Sequence, residues 1–114
     1  MTKHKVVLVP FPFDDLRGSK VRPAVCLSEP IGPYRHVVLA FIISQVSKSP
    51  LPSDLILNAD DSDFAATGLR VSSALQLHRL MTAKTSLILR ELGQLSPRLS
   101  SELEKRLEVL FGLG

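Results

Sequence analysis

Arg22 stands directly before Pro23 in the stretch KVRPAVCLSE, residues 20–29, with Lys20 just upstream and an apolar run, AVCL, just downstream. Proline fixes its own φ, carries no N–H and drives the preceding residue into extended geometry, so Arg22 is expected at the entry of a strand, its side chain aimed by stiff backbone. A guanidinium held this way is a preorganised clamp for a phosphate; the plainer alternative is a solvated charge flanking a strand. The three histidines, His4, His36 and His78, offer groups that titrate near neutrality and suit proton transfer. His36 opens an apolar run, His4 falls in a tail expected to be mobile, and His78 is followed by Arg79. Phe11 and Phe13 alternate in PFPF, a spacing that suits core packing, with stacking on nucleic-acid bases as the competing use.

Other chemistry lacks its residues. Asp60, Asp61 and Asp63 lie close together, but neither the glycine nor the glutamate of a calcium loop follows at the required spacing, and the segment reads as a solvated turn. There is no glycine-rich phosphate loop, no Cys/His metal spacing and no nucleophile elbow, so no metal and no cofactor are expected. Cys26, the single cysteine, sits inside an apolar run, which excludes an intrachain disulfide and favours a buried thiol over a nucleophile. The net charge of +3 is unevenly spread: residues 1–48 and 70–96 are basic, while residues 49–69 hold four aspartates and no Lys or Arg. Such alternation suits a basic face that meets phosphate. The longest apolar run, VVLAFII at 37–43, is about a third of the length a bilayer needs, so no membrane span and a cytoplasmic location are expected.

The elements that must position these groups are short. Apolar, β-branched runs occur at 6–9, 24–27, 37–43, 55–57, 71–77 and 87–89, each bounded by Pro, Gly, Asp or Ser. Five or six strands at this spacing, with no helices between them, predict a small antiparallel barrel or sandwich. The period then changes. In LSPRLSSELEKRLEVLFG, Leu99, Leu103, Leu107, Leu110 and Phe111 share one helical face, Ser96 can cap, Pro97 suits the first turn and Gly112 can end the helix. Glu102, Glu104, Lys105 and Glu108 form its solvated face. The length of 114 residues bounds one domain, residues 1–114, with strands over roughly 5–92 and a helix over roughly 97–111. Leu110, Phe111 and Leu113 either close the barrel or meet a second subunit.

The ordered combination VVLVPFPFDDLRGSKVRPAVCLS at 6–28, VVLAFIISQ at 37–45, GLRVSSALQLHRLMTAKTSLILRELGQL at 68–95 and the closing helix resembles the MazF/PemK family of toxin endoribonucleases from type II toxin–antitoxin systems. The resemblance implies a mainly β fold with a C-terminal helix (α+β), a compact SH3-like antiparallel barrel shared with CcdB-type toxins. It implies sequence-specific, metal-independent cleavage of single-stranded mRNA by attack of the 2′-hydroxyl, a cognate antitoxin partner, a homodimer and no cofactor. The family's catalytic arginine before proline falls on Arg22. Its second catalytic position, usually threonine, falls on Ile43, so Ser44 supplies the hydroxyl only if a bulge or register shift turns it to the same face. His78 lies near a family position that helps contact RNA and is the candidate proton carrier. The loop DDLRGSK is expected to flank the RNA channel, with Arg17, Ser19 and Lys20 as RNA contacts beside Gln45 and Arg79. Ile43 keeps a second function open: a non-catalytic barrel that binds RNA or a protein partner, including a toxin that poisons a topoisomerase.

Overall fold

The structure of the chain is a computed structural model that describes residues 1–11, 20–46 and 49–113, with Phe11 described by its backbone alone. Among the described residues six strands form one sheet in the order β4-β5-β3-β2-β1-β6. They are β1 (Lys5–Phe11), β2 (Lys20–Cys26), β3 (His36–Ile43), β4 (Asp54–Leu57), β5 (Ser73–Lys84) and β6 (Arg90–Gln94), followed by helix α1 (Pro97–Phe111). Every strand pair is antiparallel.

The continuous apolar runs are explained by burial on both faces, which removes the apolar-polar alternation of a one-sided sheet. On one face Val6, Val25, Ala40, Ile42, Leu75 and Leu77 pack with Leu99 and Leu103 of α1. On the other, Val7, Val9, Ala24, Cys26, Val37, Leu39, Phe41 and Ala83 enclose one another as the sheet curls, with Met81 and Ile88 at the margin. The result is an antiparallel half-barrel carrying one C-terminal helix.

The helix begins where its sequence says it should. The Ser96 hydroxyl accepts the Leu99 N–H at 3.1 Å and Pro97 occupies the first turn. At the other end Gly112 adopts φ 66°, and the Leu113 N–H reaches back to the Glu108 carbonyl at 2.9 Å. The aspartates read as a solvated turn do more than that. Asp63 accepts from the Ser96 hydroxyl at 2.8 Å and from Arg98 Nε at 3.0 Å, while Asp61 takes the Arg98 guanidinium. They fasten the turn to the first turn of α1. The backbone N–H of Asp63 and then Arg98 hold the Asp61 carboxyl below its ordinary range.

Three expectations are corrected. Residues 87–89 are not a strand: a 3-10 turn at Thr85–Leu87 leads into a link, Leu87 and Leu89 are exposed, and β6 is the next segment. An isolated apolar triplet looks like a strand in sequence, but here only Ile88 reaches the margin of a core while its two neighbours face outward. Conversely, β5 runs twelve residues, through His78 to Lys84, well past the alternating stretch. His4 is not in a loose tail, since its N–H donates to the Cys26 carbonyl at 2.7 Å and its carbonyl accepts from Leu95 N–H at 3.0 Å.

One corner is packed backbone against backbone. The 3-10 turn Ala65–Thr67 lies on β6 so closely that a Cβ on Gly93 would sit 2.2 Å from the Ala66 carbonyl oxygen. One on Gly68, itself at φ 74°, would sit 2.1 Å from the Leu92 carbonyl oxygen. Only glycine fits at either position.

Candidate active site

The cleft arises where two strands part. β2 and β3 pair at Ala24↔Phe41, Val25↔Ala40 and Cys26↔Leu39, and their ladder does not continue to Arg22. Pro23, next in β2, has no N–H to give to either neighbour, so the ladder ends where the proline stands. Arg22 remains paired with Val9 of β1, which fixes its backbone from the far side. The gap is a cleft of about 340 Å³ lined by Arg22, Phe41, Ile42, Ile43, Ser44, Gln45 and Arg79.

A second device brings Arg79 to the same wall. Ala40 of β3 faces Leu80 of β5, yet the next residue, Phe41, faces Gln76. Residues 77–79 are therefore looped out of the ladder, a bulge that re-aims side chains locally. Arg79 Nη1 donates to the Gln76 Oε1 at 3.3 Å.

The hydroxyl question has a geometric answer. β3 ends at Ile43, and Ser44 and Gln45 form an exposed bend, so Ile43, Ser44 and Gln45 all border the cleft. In a continuing strand Ile43 and Ser44 would point to opposite faces. The strand's termination, rather than an internal bulge, brings both to one wall.

The remaining sequence candidates divide. His78 is not among the residues lining the cleft; it lies in the looped-out segment with Nδ1 3.9 Å from Asp54 Oδ1. Lys20 is exposed at the start of β2. Arg17, Ser19, Gly18 and Phe13 lie outside the described residues. His36 is at the opposite end of β3, paired with Lys84. Burial, with Lys3 adding to it, pushes the His4 imidazole below its ordinary value against the opposing pull of Glu104. Burial pushes the Cys26 thiol up to about 11, which keeps it protonated and poorly nucleophilic. Among the described residues no group of three or more His, Cys, Asp or Glu could hold a metal ion. Likewise among these residues, no helix is long and apolar enough to cross a membrane.

Sequence reasoning missed Asp54. Its side chain is only 6% exposed, and it accepts the Leu51 N–H through Oδ2 at 2.9 Å. The available signal was a carboxylate opening the apolar strand DLIL, but it was absorbed into the acidic stretch around it.

No curated protein matches the chain by sequence. Solved structures do match its fold. Mycobacterium tuberculosis toxin MazF-mt6 superposes with a TM-score of 0.73 at 17% identity, covering 95% of this chain and 96% of that one. An endoribonuclease in complex with its cognate antitoxin, from a mycobacterial species, gives 0.70 at 14% identity over 100% of this chain and 97% of that one. MazF from Deinococcus radiodurans gives 0.68 at 19% identity over 98% and 96%. Identities this low speak to architecture alone. Residues 2–111, nearly the whole chain, match a sequence family as well, and on that match the chain belongs to the PemK-like, MazF-like toxins of type II toxin–antitoxin systems.

Proposed function

We propose that the chain is a metal-independent, sequence-specific endoribonuclease that cleaves single-stranded mRNA through attack of the 2′-hydroxyl on the adjacent phosphorus. The observation that carries this reading is the convergence of Arg22 from β2 and Arg79 from β5 on one open cleft. The internal nucleophile is already within bonding reach of phosphorus, so the protein's task is to stabilise charge on the phosphoryl oxygens and to move two protons. Arg22, on backbone fixed by Pro23 and by its pairing with Val9, supplies the planar fork that matches a phosphate. Ser44 offers a hydroxyl to the same oxygens, and His78, beside Arg79 in the looped-out segment, is the proton carrier. Arg79 and Gln45 hold the RNA in the cleft, and Lys20, with Arg17 and Ser19 of the preceding loop, extends the contact.

The chain is read as one domain acting as a homodimer in the cytoplasm. An antitoxin, the kind of partner present in the mycobacterial complex, silences it by laying an acidic or apolar segment over the basic cleft. The test is incubation of purified protein with single-stranded RNA in EDTA. Endonucleolytic cuts that disappear in Arg22→Ala support the reading, and intact RNA across varied sequences defeats it.

A second reading follows from Ile43, which stands in the cleft wall at the position where the family carries a hydroxyl. A barrel without that group would bind RNA or a protein partner, such as a topoisomerase, without cutting. Salt-sensitive RNA binding without cleavage, together with nuclease activity created by Ile43→Thr, would select it.

A further inference from the structure

We propose that Asp54 positions His78 to deliver a proton to the oxygen that leaves as the RNA strand is cut, an inference that rests on the nuclease reading above. Asp54, Gln76 and Phe41 sit side by side on one rung across β4, β5 and β3. Phe41 lines the cleft, and Gln76 holds Arg79, which lines it too. His78 belongs to the same looped-out segment as Arg79. The pair therefore lies behind the cleft wall, joined to it through Gln76 and Arg79.

A purely structural role accounts for half of Asp54. Oδ2 takes the Leu51 N–H at 2.9 Å and the Asp54 N–H returns to the Leu51 carbonyl at 2.9 Å, which closes the turn entering β4. Oδ1 is left over: it is buried and has no hydrogen-bond partner among the described residues. A turn needs no second buried carboxylate oxygen, and burying one without a partner is unfavourable. The group facing it is His78 Nδ1 at 3.9 Å, on a side chain 37% exposed. Arg79, next to His78, donates to Gln76 of the same strand, and Arg106 of α1 donates to the Pro52 carbonyl. At 3.9 Å the two are within ion-pair range, and catalytic hydrogen bonds that are long without substrate tighten when it binds. With Nδ1 turned to the carboxylate, Nε2 on the other side of the ring is the nitrogen available to RNA, the arrangement by which a buried aspartate orients a catalytic imidazole.

The step balances. The 2′-oxygen bonds to phosphorus as its proton passes to water, the bond from phosphorus to the 5′-oxygen breaks, and that oxygen takes the Nε2 proton of the His78 imidazolium. His78 then regains a proton from water. Asp54 never touches substrate; it is a positioning residue.

The experiment compares wild type, Asp54→Asn, His78→Asn and the double variant on single-stranded RNA and on the same RNA with sulfur replacing the 5′-oxygen at the cut. On ordinary RNA, His78→Asn should lower kcat roughly a hundredfold and Asp54→Asn about tenfold, with KM within about twofold, and the double variant should be no worse than His78→Asn. On the sulfur substrate, whose leaving group needs no proton, all three losses should vanish. Additive losses, losses that persist on the sulfur substrate, or a change confined to KM would overturn the inference while leaving the nuclease reading intact. Failure of the wild type to cut any RNA would overturn both. If Asp54→Asn does not fold, half-exposed His78→Asn decides: unchanged kcat, or a loss that sulfur does not rescue, refutes the proton donor.

Discussion

Two regions of the sheet, one at its β6 edge and one among its inner strands, are built to opposite specifications. At the corner formed by the turn Ala65–Thr67, β6 and the start of α1, backbones touch, glycines are obligatory and polar side chains are consumed by capping. At the cleft, a ladder stops early, another skips three residues, and polar and charged side chains line an open wall. The lesson is that the sheet keeps its order where order supports the fold and relaxes it where the cleft opens. Side chains at the corner should therefore govern stability and those at the cleft activity, with little crossing between them.

The sharpest way to break that division is Arg22→Ala. RNA cleavage should fall by roughly a hundred- to a thousandfold, the usual cost of removing a preorganised group that meets charge in the transition state, while the melting temperature stays within a few degrees of wild type. Loss of fold in this variant would show that the cleft is structural after all. The mirror experiment is Gly93→Ala. A methyl 2.2 Å from the Ala66 carbonyl forces the turn off β6, and a loss of about 3 kcal/mol or more, read by urea unfolding, is expected, with the surviving folded fraction cutting RNA normally. Leu103→Ala, which empties a fully buried site between α1 and the sheet, should cost about 2–5 kcal/mol.

Ser96→Ala sharpens the comparison at smaller scale. It removes the helix cap and the contact to Asp63, so about 1 kcal/mol of stability should go, a few degrees in melting temperature, without altering kcat. The smallest effect is in pH. The Asp61 carboxyl is held low in the folded protein, first by the Asp63 N–H and then by Arg98, so its contribution is present above the unfolded carboxylate value and lost as pH falls through the folded one. Asp61→Asn should lower the melting temperature slightly at neutral pH and flatten the acid side of the profile, so that variant and wild type converge below about pH 4.

Legibility in the sequence followed the range of the interaction involved. Arg22 could be found because Pro23, its neighbour in the chain, does the positioning, and the helix could be found because Ser96, Pro97 and Gly112 act within a turn of their own position. Arg79's place in the cleft depends on a three-residue slip between β3 and β5, a property of two strands distant in the chain, and no local pattern encodes it. Ser44 shares a wall with Ile43 only because β3 stops there. Asp54 looked like one more acid in an acidic segment until β4 was laid beside β5 and its second oxygen came to face His78. The triplet at 87–89 was misread for the complementary reason: its apolar composition matches a strand, but the chain must turn there to carry β5 round to β6.

The slip in β5 also bears on how such a protein can diversify. Residues 77–79 lie outside the ladder, with Gln76 and Leu80 pinned in register on either side. Leu77 is anchored in the core on the helix side, so the part of the segment open to change is the exposed pair His78 and Arg79, which can be recharged while Gln76 and Leu80 keep their rungs. The charge beside the cleft can thus be altered at two neighbouring positions without entering the core.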